Sequence, residues 1–124
     1  MRRTDERRAA TFASYQRDVT GEAKPGEELP RFARELAAGV EEHREELDRL
    51  ISEHAVGWDV ERIAPLERAI LRTALYEIIY RPDVPDEVAI DEAIETAKEL
   101  CGTDAPAFVN GVLGAVHREQ MASR

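Results

Sequence analysis

At 124 residues the chain has room for one domain with a real core but not for a comfortable second one, and 43% hydrophobic with 35% charged residues is the balance of a globular protein rather than a disordered one. The 17 basic against 26 acidic residues leave a formal charge of -9 at pH 7, which excludes coating of nucleic acid by the whole surface, so any such site must be local. No run approaches a membrane span or a secretory signal, which makes the cytoplasm the expected location, and the single Cys101 allows neither an internal disulfide nor a structural zinc site.

Aromatic residues are only 6%, while Ala, Glu, Arg and Leu recur at spacings of three and four, the pattern of an all-α chain. A first helix is expected from about Asp5 to Asp18, with Ala9, Phe12, Ala13 and Val19 on one side, arginines on the other, and Thr20 and Gly21 ending it. Lys24, Pro25 and Gly26 then read as a connecting loop. Leu29, Ala33, Leu36, Val40, His43, Leu47, Leu50 and His54 alternate steps of four and three, which predicts one long helix from Leu29 to His54. At 1.5 Å per residue it would run roughly 40 Å. Its a/d stripe suits a coiled-coil homodimer or packing inside the chain, and Ala33, His43 and His54 within it favour the second.

Gly57 and Trp58 mark the next break, and Pro65 suits the first turn of a helix running from Leu66 to Tyr80. The broad apolar face of that segment, Leu66, Ile70, Leu71, Ala74, Leu75, Ile78 and Ile79, makes it the expected central helix. After Pro82 and Pro85, Asp86 is the expected cap of a helix over Glu87 to Leu100, with Gly102 left-handed just past its end. Asp104 is the expected cap of a last helix from Ala105 to about Gln120, with Phe108, Val109, Val112, Leu113 and Val116 facing inward. Asn110 and Gly111, poor helix formers, suggest close contact with a neighbouring helix.

Enzymatic constellations are weak. His43 and His54 stand 11 residues apart, so about 16 Å along a helix, too far to share a metal, and no H-E-x-x-H, nucleophile elbow or glycine-rich phosphate loop is present. No cofactor is expected. The amino terminus is more suggestive. Arg2, Arg3, Arg7 and Arg8 place four guanidinium groups in eight residues of an acidic chain, a set of forks that suits phosphate, with Tyr15 as a stacking face. Asp5 and Glu6 dilute that charge, and a solvated terminus explains the run equally well.

The second half is more specific. Ile70-Leu71-Arg72-Thr73-Ala74-Leu75-Tyr76-Glu77, Asp83-Val84-Pro85, Val88-Ala89-Ile90-Asp91-Glu92-Ala93 with Ala97-Lys98, and Phe108-Val109-Asn110-Gly111-Val112-Leu113 together resemble the NusB family of bacterial transcription antitermination factors. Arg7, Arg8, Ala10, Tyr15 and Gln16 are similar to that family's arginine-rich opening, so the resemblance covers nearly the whole chain.

The resemblance implies an all-helical bundle of two packed helical subdomains, about 1–56 and 57–124 of a single RNA-binding domain, and no catalytic activity. It also implies binding of the boxA sequence of nascent single-stranded RNA together with the ribosomal protein NusE, within an RNA polymerase antitermination complex that serves ribosomal RNA operons. Carried over by position, the RNA contacts are Arg2, Arg3, Arg7 and Arg8, with Tyr15 or Phe108 stacking on bases and Asp104 either capping its helix or accepting from a base edge. Glu67 is the implied NusE contact, and Arg72, Tyr76 and Glu77 are assigned to the same partner face, with half-buried core as the other reading of Tyr76.

Gly114 stands where the family pattern has an acidic residue, and Asp5 with Glu6 interrupts the arginine run, so lower RNA affinity is expected. No basic tail follows Gln120, and at a charge of -9 phosphate repulsion would leave the free protein a weak binder until a basic partner joins it. Two other readings remain. The same helical domain resembles the N-terminal module of some ribosomal RNA cytosine methyltransferases, which would require a methyl-donor domain elsewhere in the gene product. The Leu29 to His54 stripe could instead make the protein a homodimeric scaffold.

Overall fold

Pro65 occupies the first turn of the helix around which the others assemble. In the computed structural model, which describes residues 2–22 and 29–123, the chain runs α1 (Arg3–Thr20), α2 (Arg31–Glu42), α3 (Arg44–His54), a 3-10 turn (Val60–Arg62), α4 (Pro65–Tyr80), α5 (Asp86–Leu100) and α6 (Ala105–Ala122). No strand occurs among the described residues, so the fold is all-α. Lys24, Pro25 and Gly26 of the expected loop lie outside them.

Helix α4 is buried on nearly every side and packs against all five other α-helices, as its broad apolar face predicts. Leu71 and Leu75 on it, Leu36 on α2, Leu47 and Ile51 on α3 and Leu113 on α6 are fully buried. Each such side chain contributes about 1.5–3 kcal/mol through removal from water.

The long Leu29 to His54 helix is instead two helices that bend at His43, whose φ of -107 and ψ of 17 leave the helical range. Hydrogen bonding continues through the bend, with the His43 N–H donating to the Gly39 carbonyl and the Leu47 N–H to the His43 carbonyl, both at 3.0 Å. Two ring contacts accompany the bend. The Tyr76 ring of α4 lies directly on Gly39, where a Cβ would collide with it, and His43 stacks on Tyr80 at 4.0 Å between ring centroids. Bending there lets Ala33, Leu36 and Val40, then Leu47 and Ile51, wrap one side of α4. The stripe is therefore spent inside the chain, which removes the seam that a coiled-coil homodimer would use.

Four other expectations are corrected. On α1 the buried positions are Arg7, Ala10, Thr11 and Ser14, a face of small and polar side chains that lets the helix lie close against α2 and α4; Phe12 and Val19 face outward, 44% and 55% exposed. Asp86 is the first residue of α5 rather than its cap, Pro85 holds the cap position, and the Asp86 carboxylate meets His117 Nδ1 at 3.0 Å. Gly102 is not left-handed: the positive-φ glycines among the described residues are Gly21 at 75 and Gly57 at 83. Asn110 and Gly111 are exposed, and a Cβ at Gly111 would meet nothing within 4 Å, so the close helix contact belongs to Gly39 instead.

Polar ties complete the packing. Asp18 at the end of α1 accepts from Arg44 of α3 at 2.7 Å and from Arg68 and Arg72 of α4 at 2.9 and 3.1 Å. Burial works against its charge, but the three guanidinium groups outweigh it and hold the carboxyl below its usual range. His54 Nε2 at the end of α3 meets Glu119 of α6 at 2.6 Å.

Candidate nucleic-acid interface

Helix geometry decides which arginines of the amino-terminal run reach solvent. Arg2 precedes α1 and is 86% exposed, and Arg3 in the first turn is 51% exposed. Arg7, one turn further on, points inward with only 9% of its side chain exposed. Its Nε donates to both oxygens of Glu77 at 2.9 and 3.0 Å, and its Nη1 lies 3.8 Å from Glu92. The expected phosphate contact at Arg7 is thereby corrected to an internal ion pair between α1 and α4. Arg8 reaches the surface, 26% exposed, where Nη1 meets Glu99 of α5 at 2.5 Å.

The partner face expected on α4 loses two members for the same reason. Glu77 is 1% exposed; burial raises its carboxyl above the usual range, and the Arg7 guanidinium opposes that shift. Arg72 is 3% exposed and holds Asp48 through Nε and Nη2 at 2.6 and 3.0 Å. Both groups are spent on pairs inside the chain and offer almost no surface to a second protein. Tyr76 is half-buried over Gly39, with Tyr80 stacked on it at 5.4 Å, in keeping with the core reading of its ring.

Two surface regions carry the other expected site residues. On α1, Tyr15 is half-buried, and Phe12 and Val19 stand three and four residues to either side of it on the same outward face. The second region is a groove of about 350 Å³ between the loop before α4 and the start of α6. Ile63 and Ala64 contribute apolar surface to it, Trp58 and Phe108 meet edge to face at 6.4 Å, and Arg62, Glu67 and Asp104 supply its charges. The structure thus brings Asp104, Phe108 and Glu67 into one place, with no residue of α1 lining it.

Asp104 does not cap α6: it sits at the N-cap position with φ -86 and ψ -15, and its side chain makes no capping bond, which leaves the carboxylate exposed to solvent. Glu67 is half-buried, and burial raises its carboxyl. Sequence reasoning passed over Trp58 and Arg62. Trp58 is 50% exposed, and Arg62 forms no ion pair with a described carboxylate. The signal available for Trp58 was a lone tryptophan beside a loop glycine, a place where a large apolar side chain has little core to enter.

The chain matches the NusB family over residues 2–118. It belongs to that family. A Symbiobacterium thermophilum protein named transcription antitermination protein NusB is 44% identical over 138 aligned positions, covering 95% of this chain and 90% of that protein. A Carboxydothermus hydrogenoformans protein of the same name is 45% identical over 112 positions, covering 90% of this chain and 78% of the relative. Among solved structures, T. maritima NusB superposes with a TM-score of 0.85 at 30% identity, covering 96% of this chain and 92% of that one. A structure of antitermination factors NusB and NusE in complex with dsRNA matches with a TM-score of 0.83 at 26% identity, covering 94% of this chain and 96% of that one. No described helix is long and apolar enough to cross a membrane.

Proposed function

We propose that this chain is a non-catalytic, cytoplasmic transcription antitermination factor that binds boxA RNA together with NusE and joins the elongating RNA polymerase complex on ribosomal RNA operons. The observation that carries the reading is the match, along nearly the whole chain, to a NusB solved with NusE and RNA. In this reading Arg2, Arg3 and Arg8 neutralise phosphates, and Phe108 and Trp58 stack on unpaired bases. Asp104, free of a capping role, accepts from a base edge. Tyr15 offers a further ring beside Phe12, and Glu67 meets the basic partner. Arg7, Arg72, Tyr76 and Glu77 act indirectly, by holding α1, α2 and α3 on α4.

The test is a fluorescence-anisotropy titration of boxA RNA and a scrambled control, with and without NusE, at two salt concentrations. The expected result is selective binding that NusE tightens and salt weakens. Equal binding of both RNAs in the presence of NusE overturns the reading.

A further inference from the structure

We propose that Glu99 sets the RNA affinity of this chain by competing with phosphate for Arg8, so that RNA reaches the start of α1 through an exchange of ion-pair partners. The inference rests on the RNA-binding reading above and adds to it an affinity-determining residue on α5.

Three observations support it. The Arg8–Glu99 pair is at the surface: the Glu99 side chain is 54% exposed, so water and incoming anions reach the carboxylate that holds Arg8. The grip is also incomplete. Arg7 and Arg72 each set Nε on their carboxylate, whereas Glu99 takes only Nη1 of Arg8, and Arg8 Nε is the sole buried side-chain nitrogen or oxygen without a partner among the described residues. A buried donor without an acceptor is unfavourable, so releasing the pair gives up less than a two-pronged pair would. Finally, Arg8 is the one cation lining a groove that also holds Asp91, Glu92, Glu95 and Glu99. An arginine so surrounded is neutralised towards RNA while Glu99 keeps it.

The exchange has a thermodynamic signature. An arginine that binds phosphate releases a condensed counterion, and this is the origin of salt-dependent affinity. When Arg8 first has to leave Glu99, the freed carboxylate gathers a cation in return, and the net release at this position falls towards zero. Removing the Glu99 charge restores it.

The experiment measures boxA RNA binding in the presence of NusE for the wild-type chain, Glu99→Gln, Glu95→Gln, Arg8→Gln and the Arg8→Gln/Glu99→Gln pair, with far-UV circular dichroism to check folding. Glu95→Gln makes the same charge change in the same groove, and no ion pair of Glu95 is present among the described residues. Glu99→Gln is expected to bind about two- to fivefold tighter, the range of an exposed ion pair. Its plot of log affinity against log salt should be steeper by about 0.7. Glu95→Gln should show a smaller gain, and the Glu99→Gln gain should vanish when Arg8 is already Gln. Equal gains for Glu95→Gln and Glu99→Gln, or a gain that persists without Arg8, overturn the proposal and leave the RNA reading intact. A wild-type chain that binds no RNA with NusE overturns both.

Discussion

Replacing Arg7 by Met separates a structural arginine from an RNA-binding one. The substitution keeps the aliphatic stem and removes the guanidinium, which leaves the Glu77 carboxylate, 1% exposed, without its bidentate partner and with Glu92 still nearby. Breaking a buried pair costs about 3–5 kcal/mol when the remaining charge stays ionised. Glu77 has an escape, because taking up a proton in the folded state, from a reference of 4.5, limits the penalty to about 3.4 kcal/mol at pH 7. For a domain of this size that corresponds to a fall in Tm of about 10–15 °C. The sign of the pH dependence follows. A carboxyl whose folded pKa lies above its unfolded value adds stability below the unfolded value and loses it as pH rises through the folded one, so the deficit of Arg7→Met should shrink by about 1.4 kcal/mol per unit as pH falls from 7 towards 4.5. The pair Arg7→Met/Glu77→Leu leaves net charge unchanged and should recover to within about 1 kcal/mol of the parent, since a well-packed apolar pair replaces a buried ionic one at little cost. Thermal unfolding by circular dichroism over that pH range, together with boxA titration of the double variant, tests the reasoning. A double variant that melts like the parent but loses RNA affinity tenfold would refute it and return Arg7 to the binding site.

Gly39→Ala gains about 1 kcal/mol of helix propensity but drives a methyl group into the Tyr76 ring, an overpacking worth about 1–3 kcal/mol, so urea unfolding should show a net loss; a net gain would mean that the ring moves freely. His54 is pushed down by burial, but its bonds to Glu119 and the Leu50 carbonyl prevail and raise it above 6.5. A raised histidine adds stability that is fully present below its unfolded pKa and lost as pH rises through the folded one. His54→Gln should therefore lower Tm at about pH 6 and barely change it at about pH 8.5, and an equal loss at both would show that packing rather than charge carries the contact.

What the sequence disclosed and what it hid divide along physical lines. Helix identity was legible in α4, α5 and α6, because Pro65, Pro85 and Pro106 punctuate them and their apolar spacing is regular. The bend at His43 was not, because a period of three and four continues across it, and the Tyr76 ring that packs on Gly39 beside it is a contact between residues 37 positions apart. The inner face of α1 was misread for a related reason. Hydrophobic spacing places Phe12 and Val19 inside, yet close packing on α2 and α4 calls for Ala10, Thr11 and Ser14, and Arg7 can enter only because Glu77 is there to meet it. Of the expected site residues, those on surface segments, Arg2, Arg3, Asp104 and Phe108, remain accessible, whereas Arg7, Arg72 and Glu77 are spent on pairs that no one-dimensional pattern reveals.

The distribution of those pairs bears on how an acidic chain can engage RNA at all. Arg62 and Arg34 pair with no described carboxylate, while Arg7, Arg44, Arg68, Arg72 and Arg81 are bound within the fold, so counting arginines overstates the cations available to phosphate. At physiological salt a charge is felt over only about 8 Å, so the net charge of -9 does not by itself prevent local binding by Arg62, or by Arg2 and Arg3, whose ion pairs with Asp5 at 3.9 Å and Asp83 at 3.5 Å are exposed. It does deny the chain long-range attraction of the kind that speeds encounter with a polyanion. On the proposed function, a basic partner would supply that attraction. The acidic surface is then a source of selectivity: alone, the chain is repelled by bulk RNA, and only where a partner adds positive charge do its few exposed arginines and the Trp58–Phe108 groove hold a strand.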